Sequence, residues 1–197
     1  MELRSPNLIL RYPQPDDAQR LLELAGDPDV TRWFSWGPYT SLDQPLAYVG
    51  KLAGQRERGE QIDLLVVHRE DGPVGITGLS EFSYRDRRCV VGTWFGKAWW
   101  GTGANRESKA VMAHLAFEVF GVHRLGSYSN PANERSTKAL IGVGFRYEGV
   151  LHGYHRHGDQ HLDVNVFGML RADWEGGPLR DVPVEVSGEP PPAFLRA

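Results

Sequence analysis

Two glycines one residue apart, Gly101 and Gly103, lie in the stretch Trp99-Trp100-Gly101-Thr102-Gly103-Ala104-Asn105. A strand-like run (88–95) precedes them and a helix-like run (105–120) follows. Glycines at such a handover let the backbone turn tightly with its N–H groups pointing outward. Those amides and the positive end of the helix dipole form a site for an anion, most often a phosphate. Arg106 and Lys109 bracket Glu107 at the start of the helix. Cations there oppose the dipole by roughly a few tenths of a kcal/mol each unless an anion is bound. The plainer reading makes both solvated surface charges offset by Glu107.

Several loop types compete for this segment. A Walker loop ends in Gly-Lys-Ser/Thr, and no such sequence follows Gly103. A dinucleotide fold needs a third glycine where Arg106 stands, and an acidic residue after the next strand, where Asn130-Pro131 occurs instead. A nicotinamide-dependent oxidoreductase is therefore opposed. The pyrophosphate loop of acyl-coenzyme A transferases, a Gly-x-Gly opening a helix after an interrupted strand, fits. A plain turn also produces Gly-x-Gly.

The elements that must hold this loop follow from periodicity and breakers. Residues 8–12 read as a strand ended by Pro13, and Asp16 and Asp17 open a helix with apolar residues at Ala18, Leu21, Leu22 and Ala25. A short element (27–34) leads into Trp36-Gly37-Pro38, and Ser41 caps a second helix reaching about Gly59. Strands at 61–68 and 73–82 are joined by Glu70-Asp71-Gly72, and 88–96 is the fourth strand. After the glycine loop, Ser108, Val111, Leu115 and Val119 fall at helical spacing. A fifth strand (123–129), a short helix (133–143) and two final strands (144–151 and 161–170) complete the order. Strands two to four, with no helix between them, imply antiparallel pairing, and the strand–helix–strand around the loop implies one parallel crossover. The prediction is a mixed α/β (α+β) sheet forming one domain over 1–175. A proline-rich tail (176–197) folds, if at all, onto a neighbouring surface.

Composition narrows the functional classes. The chain has 197 residues, enough for one domain with a sizeable core. A net charge of -3 gives no electrostatic case for nucleic acid or an anionic membrane as partner. One cysteine, Cys89, forbids an intrachain disulfide and reads as a small buried residue. There is no signal-peptide core and no apolar run near the roughly 18 residues that span a bilayer. A cytoplasmic location is expected.

Four stretches in this order and spacing resemble the GNAT-superfamily N-acetyltransferases, closest to the branch of ribosomal-protein N-terminal acetyltransferases. They are Gly92-Thr93-Trp94-Phe95; Trp100 to Glu107; Asn130-Pro131-Ala132-Asn133-Glu134-Arg135-Ser136; and Gly144 to Leu151. The resemblance reaches nearly to Trp174. It implies a mostly antiparallel seven-stranded sheet flanked by helices, with strands four and five splayed to admit acetyl-coenzyme A. The pantetheine would pair with backbone near Trp94 and Phe95, and the pyrophosphate would sit on Gly101, Thr102, Gly103, Ala104 and Asn105, with Lys109 close by. Asn133 would hold the pantetheine arm and Ser136 would protonate the leaving sulfur. From the residues alone, Asn133 is equally a helix cap with Ser136 in the first turn. One departure is Ala98, where the family usually carries Gln or Arg; a loop that binds through backbone amides tolerates this.

Acetyl transfer needs a neutral amine and a proton acceptor. His155 falls where some relatives carry a carboxylate, and imidazole can take an amine proton near neutral pH. His155 is also readable as a turn residue, since His152, His157 and His161 crowd the same hairpin. The alternative base is Glu81, acting through water. The histidines with Asp159 and Asp163 match no zinc pattern, so no metal is expected. Trp33, Phe34, Trp36 and Tyr39 suggest an apolar acceptor pocket, or partly core. The leading expectation is acetyl-coenzyme A-dependent transfer to a primary amine, either a protein N-terminus or a small molecule. A non-catalytic acyl-coenzyme A-binding regulatory module is the alternative. The resemblance also implies a homodimer.

Overall fold

A computed structural model of the chain describes residues 1–195. Its strands are β1 (Glu2–Arg4), β2 (Leu8–Arg11), β3 (Ile62–His68), β4 (Gly72–Ser83), β5 (Arg88–Phe95), β6 (Arg124–Ser129), β7 (Arg146–His157), β8 (Gln160–Leu170) and β9 (Glu185–Ser187). Its helices are α1 (Ala18–Ala25), α2 (Pro28–Thr31), α3 (Asp43–Arg58), α4 (Ala104–His114), α5 (Glu134–Gly142) and α6 (Arg171–Glu175). The strands form one sheet in the order β7-β8-β6-β5-β4-β3-β2-β1-β9. Every neighbouring pair is antiparallel except β5 with β6.

The class is the mixed, mostly antiparallel one expected, but among the described residues the sheet has nine strands and not seven. The additions, β1 and β9, are three residues each and pair with one another at one edge. Three residues are too few for an alternation to be read. The proline-rich segment therefore folds against the body of the protein. Besides β9, Leu179 and Phe194 are buried, and the Phe194 ring lies 4.8 Å from Phe82 and 5.2 Å from Phe120. Isolated apolar residues between prolines make no periodic pattern, yet Leu179 and Phe194 join the core.

Both faces of the sheet are covered, as successive side chains of each strand point to opposite faces. On one face Val111 and Met112 of α4, with Leu115 and Phe117 of the π-helical turn that continues it (Leu115–Val119), are buried with Leu8, Leu10, Leu64 and Val91. On the other, Leu21 of α1 and Val49 of α3 meet Leu65 and Ile76. Ser41 does not cap α3; the Gln44 side chain accepts the amides of Thr40 and Ser41, and the helix begins at Asp43.

The feature that makes a site is a divergence. β5 and β6 pair at Arg88/Arg124, Cys89/Leu125 and Val90/Gly126 and no further, although β5 runs on to Phe95 and β6 to Ser129. β6 stays in register with β8 through Ser129/Asn165, so β6 leaves β5 without leaving the sheet. At the fork, Ser127 Oγ donates to Val91 O at 3.0 Å, satisfying the first carbonyl that lost its ladder partner.

Candidate active site

A cavity of about 650 Å³ fills the fork and extends over the loop before α4. Gly101 and Gly103 adopt φ of 80° and 95°. Cβ atoms at either position would meet nothing within 4 Å, so conformation and not crowding demands glycine here. α4 starts at Ala104 with no side-chain cap, leaving first-turn N–H groups without intrahelical partners. Gly101, Gly103, Asn105 and Arg106 line the cavity. Thr102 turns inward, its hydroxyl donating to Trp99 O at 3.0 Å and accepting from Ala104 N at 3.4 Å.

Lys109 differs from a solvated helix-start cation. Its side chain is buried and lines the cavity. Nζ donates to Thr93 Oγ1, Thr93 Oγ1 and Thr77 Oγ1 lie 2.8 Å apart, and Thr77 Oγ1 donates to Gly92 O at 3.2 Å. No carboxylate pairs with the ammonium among the described residues, and burial pushes its pKa down to about 7. Glu107 instead accepts from Ser5 Oγ, Asn7 N and Asn7 Nδ2, tying α4 to the loop after β1.

At the other end of the cavity, the two alternative bases share one wall. A register shift between Ser80 and Ser83 bulges β4, and Glu81 takes a left-handed φ of 52°. Such a backbone costs ~1–3 kcal/mol in a non-glycine residue and recurs at functional sites. Tyr128 Oη donates to Glu81 Oε2 at 3.0 Å, and its ring stands 5.5 Å from that of His155, edge to face. Tyr154 lies 5.2 Å from the same imidazole. Burial holds His155 below the ordinary histidine value; Glu81 pulls it up and His157 pushes it down. Burial, then Tyr154 and Glu81, push the Tyr128 phenol up, so it remains a donor. The sequence reading missed Tyr128. A signal was present: a central strand covered on both faces reads as a nearly continuous apolar run, whereas β6 carries Ser127-Tyr128-Ser129.

α5 supplies the third wall. Asn133 Oδ1 accepts the Ser136 amide at 3.2 Å and caps the helix. This leaves Asn133 Nδ2 and the Ser136 hydroxyl with no partner among the described residues, and both residues line the cavity. Of the four aromatics after α2, Trp33 and Phe34 line the cavity. Trp36 and Tyr39 do not: Trp36 packs behind, with ring centroids 5.2 Å from Phe34, 5.3 Å from Tyr39 and 5.8 Å from Trp94. Trp94 and Phe95 both line the cavity, but Phe95 O is taken by Trp100 Nε1 at 3.0 Å. Because Val91 O faces the fork, the two-residue period of a strand presents the Thr93 backbone to it as well. Among the described residues, no three His, Cys, Asp or Glu side chains converge to hold a metal ion.

Comparison with known proteins agrees with this geometry. Residues 7–146 match the Acetyltransferase (GNAT) domain family. An N-acetyltransferase of Bacillus licheniformis, p20, named as uncharacterized, is 26% identical over 88% of this chain and 98% of its own length. YdaF of Bacillus subtilis, provisionally named a ribosomal N-acetyltransferase, is 24% identical over 86% of this chain and 94% of its own. The solved structure of the microcin C7 self-immunity acetyltransferase MccE with acetyl-CoA and AMP superposes with a TM-score of 0.77 at 15% identity, covering 84% of this chain and 93% of that one.

Proposed function

The chain belongs to the GNAT acetyltransferase family, and on that premise we propose that it is an acetyl-coenzyme A-dependent N-acetyltransferase whose coenzyme lies in the fork between β5 and β6. The observation that carries this reading is the end of β5–β6 pairing at Val90/Gly126, with left-handed glycines and an uncapped helix at the cavity mouth. The residues present suit the coenzyme: amides of Gly101 to Asn105 for pyrophosphate, the Thr93 backbone and Asn133 Nδ2 for the pantetheine arm, and a buried ammonium short of a counter-charge at Lys109. Bound there, the coenzyme supplies an activated thioester acyl group. The acceptor amine enters over Trp33 and Phe34 and gives its proton to His155, directly or through one water. Glu81, held by Tyr128, stabilises the imidazolium, and the Ser136 hydroxyl protonates the departing sulfur. This acid–base set favours catalysis over a binding-only module. Cys89, the one cysteine of the sequence, is a buried free thiol, so the fold keeps no disulfide, which suits a reducing compartment, and we place the enzyme in the cytoplasm. The exposed Tyr147, Val150 and Leu151 on the edge strand β7 offer the surface for a homodimer.

The direct test is release of free thiol from acetyl-coenzyme A across a panel of primary amines. Tight coenzyme binding without release by any amine would leave a regulatory module. Ser136→Ala is expected to lower kcat by ~10- to 1000-fold, in the range of a lost general acid, with coenzyme affinity nearly unchanged. Affinity and turnover falling together in calorimetry and kinetics would make Ser136 a binding residue. For the base, kcat/KM should fall toward acid through a limb below the ordinary histidine value, because burial lowers His155. His155→Ala should remove the limb, and Glu81→Gln should move it lower still, because the carboxylate charge favours imidazolium. His161→Ala serves as the control. If His155→Ala keeps near-normal rates while Glu81→Gln loses them, Glu81 is the base.

A further inference from the structure

Asp63 on β3 carries a carboxylate that the chemistry above does not use. The residue is 8% exposed, and its two oxygens differ. Oδ2 accepts from Tyr48 Oη at 2.5 Å and Gln61 Nε2 at 2.8 Å. Oδ1 accepts no hydrogen bond, and neither oxygen makes an ion pair among the described residues. Oδ1 leans over Gly78, where a Cβ would fall 2.0 Å from it. Gly78 pairs with Asp63 on one side and Gly92 on the other. Directly opposed residues project onto the same face, so the three form a row across the sheet on the side covered by α3. A Cβ at Gly92 would meet nothing within 4 Å, and Gly92 lines the cavity. The missing side chain of Gly78 makes room for Oδ1 itself, and that of Gly92 leaves a trough leading from the cavity toward it. From Gly92 to Oδ1, which lies over Gly78, it spans one strand spacing, roughly 5 Å. Val90 and Trp94 flank Gly92 on that face, and Ile76 and Ser80 flank Gly78.

A buried carboxylate served only by neutral donors is short of positive charge. The charged and titratable groups around it are Tyr48, Tyr39 and Lys51, and the Lys51 ammonium lies over the Tyr48 ring at 5.5 Å and makes no ion pair with Asp63. Burial raises the Asp63 pKa more than its donors lower it, as expected where the matching cation is not part of the protein.

The geometry points to a cation subsite: besides the amine that is acetylated, the acceptor carries a second positively charged nitrogen that enters along the Gly92 trough and docks on Asp63 Oδ1. The subsite rests on the acetyl-transfer reading and narrows its acceptors to small dications.

The test compares α,ω-diaminoalkanes with aminoalcohols of equal chain length, from three to eight carbons, in the thiol-release assay. At the fitting length the diamine should be favoured in kcat/KM by ~10- to 100-fold, the range of a charge-assisted hydrogen bond to a buried partner. Asp63→Asn should bring that ratio near one, mainly through KM, and leave turnover of the aminoalcohol in place. A wild-type ratio near one at every length, or an unchanged ratio in Asp63→Asn, overturns the subsite while leaving acetyl transfer standing. If Asp63→Asn does not fold, Gly92→Val fills the trough; it should lower the diamine preference while acetyl-coenzyme A still raises the melting temperature, and a preserved preference overturns the subsite. If no amine releases thiol, the acetyl-transfer reading fails by itself, and calorimetry of the diamine decides the subsite. Binding by wild type that Asp63→Asn loses sustains it; equal or absent binding ends it.

Discussion

Acetyl-coenzyme A is expected to raise the melting temperature of the wild-type protein, and Gly103→Val to abolish the rise. A ligand at a thousand times its Kd that binds only the native state adds about 4 kcal/mol. For a chain of this length that amounts to roughly 8–16 °C. Gly103 sits at φ of 95°, and the space where its Cβ would go is open. Valine therefore makes no clash, but it disfavours the left-handed backbone by ~1–3 kcal/mol. The loop escapes this strain by turning its amides away from the cavity mouth, and coenzyme affinity should fall at least about 100-fold, since charge-assisted amide bonds to phosphate are the strong ones. The ligand-free variant should melt only a few degrees lower, because Gly103 lies outside the core. Scanning calorimetry with and without coenzyme measures both quantities, and NAD should shift neither protein. A full shift in Gly103→Val would remove the loop from the coenzyme site.

Much of this architecture could be read from the chain because its signals are local. Gly101 and Gly103 announce a handover from strand to helix, Asn133 announces a cap, and both features occur where the spacing puts them. What escaped is set by partners distant in sequence. β9 exists because β1 offers it an edge. Trp36 is separated from the cavity by Phe34 and Trp94, and four aromatics in seven residues do not reveal which of them face inward. Glu81 and His155 read as rival bases because nothing local places them together; the bulge in β4 and the intervening Tyr128 do so. Lys109 is the instructive case. Its neighbours at i+3 and i+4, Met112 and Ala113, are both buried, so helical period assigns it to the core face. Of the two readings its charge allowed, a cation beside a bound anion and a solvated surface charge, helical period speaks against the second.

That placement makes Lys109→Met the substitution with the largest expected effect on the coenzyme-free protein, and the effect should be stabilising. The native ammonium has its pKa pushed down to about 7 by burial, against about 10.4 in an unfolded chain. Below pH 7 both states hold the proton and the full cost of burying the charge is present. Between the two values the unfolded chain keeps a proton that the native state releases, so stability rises with pH. Above both values the cost is gone. Methionine keeps the stem that packs beneath β5 and removes the charge. Replacing a buried unpaired ion by an apolar side chain should add ~2–4 kcal/mol at pH 6, or ~5–15 °C in melting temperature, and the gain should shrink steadily toward pH 10. The same change should weaken acetyl-coenzyme A binding by ~10- to 100-fold, because the polyanion loses a cation waiting in its cavity. In the wild type an anion near Lys109 raises its pKa again, so binding at pH 8 should take up a proton, visible as a calorimetric enthalpy that varies with the buffer's ionisation heat. Lys109→Met should bind without that proton. A variant that melts lower than wild type at pH 6, or that keeps the buffer dependence, would show that the ammonium is compensated within the protein and plays no part in holding the coenzyme.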